Sequence, residues 1–347
     1  MINSRQMTIL RYFTLISAAA LLLPAQPRTL DIYWVDVEGG AATLIVTPSG
    51  QSMLVDTGNP GPDDRDPKRI FQATKVAGLQ KIDMLVTTHY HGDHVGGAPA
   101  LSRMIPIAKY YDHGDSIEAA NNAQTAKLWA DYQQISAGKR TIVKPGDKIP
   151  LKDLNVTVVT ANGEVIAKPI NGGGPNEYCN DAQQKDIDKT ENGRSTGLLI
   201  TYGKFKFLDV GDLTWDREMM LACPVNKVGT VTLFQATHHG FVNGISGAPP
   251  MVWAVKPQVV VVNDGPRKGL EGNTYEVIGK IPGLEDIWQV HRALKNDAAH
   301  NTQEQLTANL EETADCKGRW IKASVSSDGK FTLTNSRNQF SKTYMAR

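Results

Sequence analysis

The chain is poor in several things, and each shortage removes a class of function. It has three cysteines in 347 residues. None stands in a Cys-x-x-Cys pair, so no sulfur-rich metal knuckle or dithiol redox motif is available. It lacks an excess of one charge: 37 Lys and Arg face 36 Asp and Glu. No global basic field is therefore present to draw nucleic acid or acidic membranes. Beyond residue 25 no apolar run is long enough for a membrane span. The Gly-rich stretch Asn171-Gly172-Gly173-Gly174-Pro175-Asn176 lacks the strand before and helix after that a phosphate loop requires. It reads either as a flap over a site or as a surface loop. No short-period repeat is present. Hydrophobic content of 41% and charged content of 21% describe an ordinary globular protein.

Residues 1–25 differ from the rest. Arg5 and Arg11 precede the apolar run from Tyr12 to Leu23, followed by Pro24-Ala25. A basic stretch, a short apolar core and a small residue at the end predict a secretory signal peptide. The expected location is then periplasmic or secreted, with no membrane attachment after cleavage. Removing these residues takes away two Arg and no acid, leaving 35 basic against 36 acidic residues, a net charge of −1. In an oxidising compartment two of Cys179, Cys223 and Cys316 can pair and one stays free. The sequence does not choose among them.

Histidine is also scarce, eight in all, yet three fall within six residues: His89-Tyr90-His91-Gly92-Asp93-His94. The cluster follows Lys81-Ile82-Asp83-Met84-Leu85-Val86, which reads as a buried strand. Loops at the C-terminal ends of such strands are where ligands bind in α/β sheets. A tight turn sends neighbouring side chains in different directions. His89 and His91 can grip one cation, and Asp93 and His94 a second. Imidazole with carboxylate suits zinc and also tolerates manganese or iron.

Leu30–Val37, Ala42–Thr47 and Ser52–Val55 read as a β-meander. Ile70, Phe71, Ala73, Val76, Ala77 and Leu79 fall at helical spacing. Ile107–Tyr111 is a strand, 117–137 a helix anchored by Leu128, Trp129 and Tyr132, and Lys148–Leu151 with Leu154–Val159 a hairpin. A second hairpin, Thr196–Tyr202 with Phe205–Val210, ends at Gly211-Asp212. Strands at Val231–Ala236 and Pro257–Val262 follow, the first ending at Thr237-His238-His239-Gly240. Asp212 and the His238–His239 pair thus each follow a strand, as the His cluster does, and a carboxylate can offer one oxygen to each of two cations.

The His-x-His-x-Asp-His cluster resembles the signature of the metallo-β-lactamase superfamily. Val35-Asp36-Val37-Glu38-Gly39-Gly40, Val55-Asp56-Thr57-Gly58, Val210-Gly211-Asp212 and Thr237-His238-His239-Gly240 look like its ComEC-type branch, over about residues 30–265. The resemblance implies a four-layer αββα sandwich, formed by one domain over 26–347 with an inserted region at about 105–194. It implies one or two zinc-like ions on His89, His91, Asp93, His94, Asp212 and His238, with Asp212 bridging, Asp209 its nearby rival, and His238 favoured over His239 as the distal ligand of the second ion. Asp93 and Asp212 take the catalytic roles around a metal-bound hydroxide. It also places Asp56 behind the metal loop as a hydrogen-bonding support; the plainer reading is a turn-favouring Asp.

Two departures stand out. Many superfamily members place another His between the cluster and the Gly-Asp turn. Here the intervening His is His113, which comes early, and Glu191-Asn192-Gly193-Arg194-Ser195 occupies the stretch before the hairpin. A late Tyr-Gly-His-Pro is replaced by Leu270-Glu271-Gly272-Asn273-Thr274. His239, His113, Asn192 and His291 are further candidates, with His291 able to reach the pocket as an acid or to be a plain surface residue. The resemblance implies hydrolysis of a phosphoester or phosphodiester, with Arg194 and Lys204 as candidate cations. Opening of a lactam or lactone ring is the rival, with Trp129, Tyr178 or Trp215 as pocket walls. A metal-binding module without turnover is the reading from outside enzymology.

Overall fold

Strand-forming segments with nearly continuous burial set the architecture. Val259–Val262 is four consecutive valines, all buried, as expected of a strand covered on both faces. The computed structural model describes residues 29–180, 182–313 and 316–347. The signal peptide expected over 1–25 therefore lies outside the described residues. No described helix is long and apolar enough to cross a membrane.

In the first sheet, Leu30–Val35, Thr43–Val46 and Ser52–Val55 form the antiparallel meander. Ile82–Val86, Ile107–Asp112 and Arg140–Ile142 then add in parallel. On the other side Trp320–Val325, Lys330–Asn335 and Ser341–Met345 complete nine strands. In the second sheet, Asn155–Ala161, Gly197–Tyr202 and Phe205–Asp209 are antiparallel. Leu233–Gln235, Val259–Val262, Asp286–His291 and Thr307–Asn309 follow in parallel. The stretch 105–194, read from sequence as inserted, supplies strands to both sheets.

Between the sheets lies one apolar core built on Trp34, Phe207, Leu233 and Trp288. Trp34 meets Phe207 edge-on at 5.5 Å, and its Nε1 donates to Gln235 Oε1 at 2.8 Å, which satisfies the buried indole. On the outer face of the first sheet, Ile70, Ala73, Leu101 and Tyr132 pack from helices Arg65–Val76, Ala98–Met104 and Ala123–Ser136. Asn122 caps the last of these by accepting from the amides of Gln124 and Thr125. Outside the second sheet, Leu221, Met251 and Ile278 pack from Trp215–Ala222, Pro249–Ala254 and Gly272–Gly279. The result is the four-layer αββα sandwich.

The sheets place their chemistry at one edge. Val55, Val86, Asp209 and Gln235 end strands, and Asp56, the His cluster, Asp212 and His238–His239 follow directly. A disulfide joins Cys179 to Cys223, leaving Cys316 free.

Candidate metal centre

The loop after Ile82–Val86 is held by Asp56. Its Oδ1 accepts from the Thr88 amide at 2.8 Å, and its Oδ2 from Thr88 Oγ1 and His94 Nδ1, each at 2.7 Å. Asp56 is buried with φ of 61°, a left-handed turn that Asp and Asn tolerate. Holding the proton on Nδ1 leaves the lone pair of His94 on Nε2, which faces inward.

Around that nitrogen lie Asp93 Oδ2 at 3.4 Å, Asp212 Oδ2 at 3.2 Å and His239 Nε2 at 3.2 Å. His239 Nε2 is in turn 3.2 Å from Asp93 Oδ2 and 3.3 Å from Asp212 Oδ1. Bonds of about 2.0–2.1 Å at tetrahedral angles put ligand atoms roughly 3.3–3.4 Å apart. The five separations above match that spacing, with Asp212 turning Oδ2 to His94 and Oδ1 to His239, and one ligand atom from each of the four residues lies within 4.8 Å of the others. Two imidazole nitrogens facing each other at 3.2 Å cannot both carry protons, so at least one offers a lone pair to a proton or a cation.

His238 and His239 occupy consecutive left-handed positions, φ 51° and 56°, followed by Gly240 at 91°. The turn makes the two rings straddle Asp212. His239 joins Asp93 and His94, whereas His238 Nε2 lies 3.2 Å from Asp212 Oδ2. Sequence favoured His238 as the distal ligand beside Asp93 and His94. In the structure it is His239, on the second of the two left-handed residues, that stands beside Asp93 and His94. His238 Nδ1 faces Ser246 Oγ at 3.2 Å, and that hydroxyl donates to the Leu213 carbonyl. Ser246 must then accept from Nδ1, so Nε2 of His238 is the free lone pair.

His89 is disposed the same way. Its Nδ1 sits 3.1 Å from Thr88 Oγ1, whose proton goes to Asp56. Its Nε2 is buried, has no hydrogen-bond partner among the described residues, and lies 4.0 Å from Asp212 Oδ2. The His91 ring is 4.7 Å from that of His89. Its Nε2 faces Glu118 at 3.4 Å, leaving Nδ1 as the nitrogen it can offer. His89 and His238 both face Asp212 Oδ2, at 4.0 and 3.2 Å, with the His91 ring beside His89; these donors are not drawn together as closely as the first four. An orphaned buried imidazole nitrogen is the kind of atom a metal ion satisfies, so the residues fit one or two divalent cations.

The electrostatics agree. Burial, together with neighbouring His94 and His91, holds His89 well below the ordinary imidazole range. Burial lowers His238 to about 4, with Asp212 opposing. Burial opposes protonation of His94 too, but Asp212, Asp56 and Asp93 overcome it and push His94 well up. Asp212 resists burial through His238, His239 and His94 and stays well below the carboxylate range. Without a cation, the carboxylates draw a proton onto the ring that a metal would otherwise occupy.

Other sequence candidates are elsewhere. His113 is buried against Glu191, with Nε2 at 3.1 Å from Oε2, so it does not complete the first group. Glu191 also accepts from Ser116 and the Ile117 amide, which fixes the segment leading to Asn192 and Ser195. Asn192 is buried and its Oδ1 is unpartnered among the described residues. His291 is buried beside Asp36 and Cys316, not in this centre. Arg194 is turned to Asn162, and Lys204 sits in the Tyr202–Phe205 turn. Tyr178 packs on Trp253, Trp215 is covered by Lys185, and Trp129 lies against Tyr90 and Arg140. The Gly-rich stretch is tied to Cys223–Val228: Asn226 N donates to the Gly174 carbonyl and Asn176 N to that of Pro224.

Sequence reasoning missed Lys268, whose Nζ donates to Asp93 Oδ2. The Val-Asp-Val-Glu-Gly-Gly motif explains how it gets there. Gly39, at φ of 92°, lies under Lys268, and a Cβ there would be 2.9 Å from the lysine Cβ. A Cβ on Gly40 would be 2.5 Å from the Asp93 carbonyl oxygen. The two glycines let the first strand's turn slide beneath both residues, a close approach that could have been suspected from the paired Gly. Lys268, Asp93 and His91 are the partly exposed members, at 36%, 19% and 29% of their side chains. They mark the open side of the centre.

A family model described as the metallo-beta-lactamase superfamily matches residues 35–176. A UPF0173 metal-dependent hydrolase of Cupriavidus metallidurans is 39% identical over 86 residues, 23% of this chain and 26% of that protein. Another, of Anaeromyxobacter dehalogenans, is 31% identical over 144 residues, 40% of this chain and 45% of that one. An atrochrysone carboxyl ACP thioesterase of Cryptosporiopsis is 35% identical over 79 residues, 22% and 24% of the two chains. The chain thus spans less than half the length of these curated relatives. None of the three is of the ComEC type. Among solved structures, the diiron β-hydroxylase CmlA of Streptomyces venezuelae aligns with 16% identity and a TM-score of 0.42, over 75% of this chain and 48% of that one. Igni18, a metallo hydrolase of Ignicoccus hospitalis, aligns with 14% identity and a TM-score of 0.40, over 74% and 94%.

Proposed function

We propose that this chain belongs to the metallo-β-lactamase superfamily, whose model matches residues 35–176, and that it is a metal-dependent hydrolase acting on an anionic ester, a phosphoester first of all. The observation that carries this reading is Lys268 beside Asp93 at the open side of the donor set. A cation held by Asp93, His94, Asp212 and His239, with a second on His89, His91, Asp212 and His238, would acidify water and neutralise charge developing on the electrophile. Zinc fits the donors, as do manganese and iron.

The protein's own groups do the rest. Asp56 fixes the tautomer and angle of His94, and Ser246 fixes His238. Asp93, partly exposed beside the reacting position, orients water there by accepting a hydrogen bond from it. Lys268 presents an ammonium to an anionic substrate oxygen, as phosphoryl chemistry requires. The thioesterase relative supports a second reading, a carboxylic ester or thioester, and ring opening of a lactam or lactone belongs to the same class of acyl substrates. With the predicted leader, the enzyme would work outside the cytosol on a small molecule.

The test is metal analysis of the purified chain with turnover of a chromogenic phosphodiester, a thioester and nitrocefin. Phosphodiester turnover that collapses in Lys268→Gln, with metal content unchanged, supports the reading. Turnover of the thioester or nitrocefin that is indifferent to Lys268 would transfer the assignment to acyl chemistry. Metal bound with no turnover at all would leave a binding module.

A further inference from the structure

A second cluster of metal-ligating side chains lies outside the centre described above and shares no residue with it. Asp36 follows the strand Leu30–Val35 of the first sheet. His291 ends the strand Asp286–His291 of the second. Cys316 belongs to the segment that leads back into the first sheet at Trp320. One ligand atom from each lies within 4.8 Å of the other two. Cys316 Sγ is 3.8 Å from Asp36 Oδ2. Tetrahedral zinc with bonds of about 2.0 Å to oxygen and 2.3 Å to sulfur separates such atoms by roughly 3.5 Å, so that pair needs almost no adjustment.

His291 supplies the independent sign of a ligand. Its side chain is fully buried. Nδ1 faces the Arg292 carbonyl at 3.0 Å and so carries the proton. Nε2 is left as a bare lone pair with no hydrogen-bond partner among the described residues. A ligating imidazole has this arrangement, one nitrogen fixed by a backbone carbonyl and the other offered to the metal. Leaving that nitrogen dry and unpaired would otherwise cost stability.

The surroundings complete a shell. Asp36 Oδ1 accepts from the Glu38 amide at 2.9 Å, which orients the carboxylate. Asn309 Oδ1 is 3.8 Å from Cys316 Sγ and accepts from the Arg319 amide. Arg69 approaches Asp36 Oδ2 at 3.5 Å, but its guanidinium is shared with Glu38 at 3.0 Å and with the Cys316 carbonyl at 3.1 Å. One carboxylate and one thiolate then remain to balance a divalent charge.

We propose that Asp36, His291 and Cys316 bind one divalent cation of the zinc class, in a structural site that clamps the two sheets together beside the C-terminal segment. Sulfur, nitrogen and oxygen donors together favour zinc over magnesium or calcium. The proposal does not depend on the hydrolase reading, because none of its ligands belongs to the other centre.

Cobalt(II) tests it directly. Cys179 and Cys223 are joined to each other, so Cys316 is the sole free thiol. A near-ultraviolet thiolate-to-cobalt charge-transfer band in the cobalt-loaded full chain can arise at Cys316 alone. The expected result is that band in the wild type, its loss in Cys316→Ser and His291→Gln, and one equivalent less cobalt in each. The band should be retained in Asp212→Asn, which damages the other centre. Absence of the band in wild type at excess cobalt overturns the proposal. So does a band that persists in His291→Gln, since the thiol would then be acting alone. If His291→Gln fails to fold, Cys316→Ser decides through metal count, an unchanged count refuting the site.

Discussion

Replacing Asp56 by Asn is the sharpest probe of how the centre is organised. The carboxylate is buried and accepts three hydrogen bonds, from Thr88 N, Thr88 Oγ1 and His94 Nδ1, at 2.7–2.8 Å. Asn keeps the size and tolerates the left-handed backbone at this position. Its carbonyl oxygen can still accept from the Thr88 amide. Its NH2 group, however, must then point where Oδ2 was. Thr88 Oγ1 can adapt by accepting, but His94 Nδ1 can meet an N–H only as an acceptor. The proton is thereby forced to Nε2, the nitrogen 3.2 Å from both Asp212 and His239. A metal must now displace that proton or break the new bond. Losses of a supporting partner of this kind typically weaken metal affinity about 10–100-fold. The folded state should lose only about 1–2 kcal/mol, one charged hydrogen bond exchanged for a neutral one. Chelator competition on the metal-loaded protein reads the first quantity, and urea unfolding of the metal-free protein reads the second. Unchanged affinity in Asp56→Asn would refute the tautomer argument.

Three further outcomes follow from the same structure. Gly40→Ala would set a methyl group 2.5 Å from the Asp93 carbonyl oxygen; the displaced backbone should cost about 1–3 kcal/mol and lower metal affinity with it, whereas an unchanged Tm and affinity would show the loop to be slack. Burial pushes Glu218 up to about 7, although the Ala248 amide donates to it. Between pH 4.5 and about 7 the folded chain then holds a proton that the unfolded chain has released. Stability from this group is full below the lower value and is lost as pH rises through the upper, by about 3 kcal/mol. Glu218→Gln should flatten that part of the stability profile in denaturant titrations at a series of pH values. Chelation should lower Tm, since a ligand at about a hundred times its Kd contributes about 2.7 kcal/mol; equal Tm with and without chelator would argue against metal in the folded protein.

The residues by themselves determined a great deal. Three histidines and an Asp in one short loop after an apolar strand can be recognised without coordinates, because metal binding demands those donors and a strand end is where a loop can display them. The strand pattern around Val55, Val86, Asp209 and Gln235 placed a turn after each strand, and the family resemblance implied that those turns meet. The tertiary structure alone decided how the donors are shared. Two adjacent left-handed residues exchange the positions expected of His238 and His239, and backbone handedness leaves little trace in side-chain identity. Glu191 claims His113 across 78 residues of chain, and Lys268 reaches Asp93 across 175. Such partnerships depend on packing between layers, where distance along the chain carries no information. For the same reason Asp36, His291 and Cys316 read as unrelated until two sheets are closed upon each other.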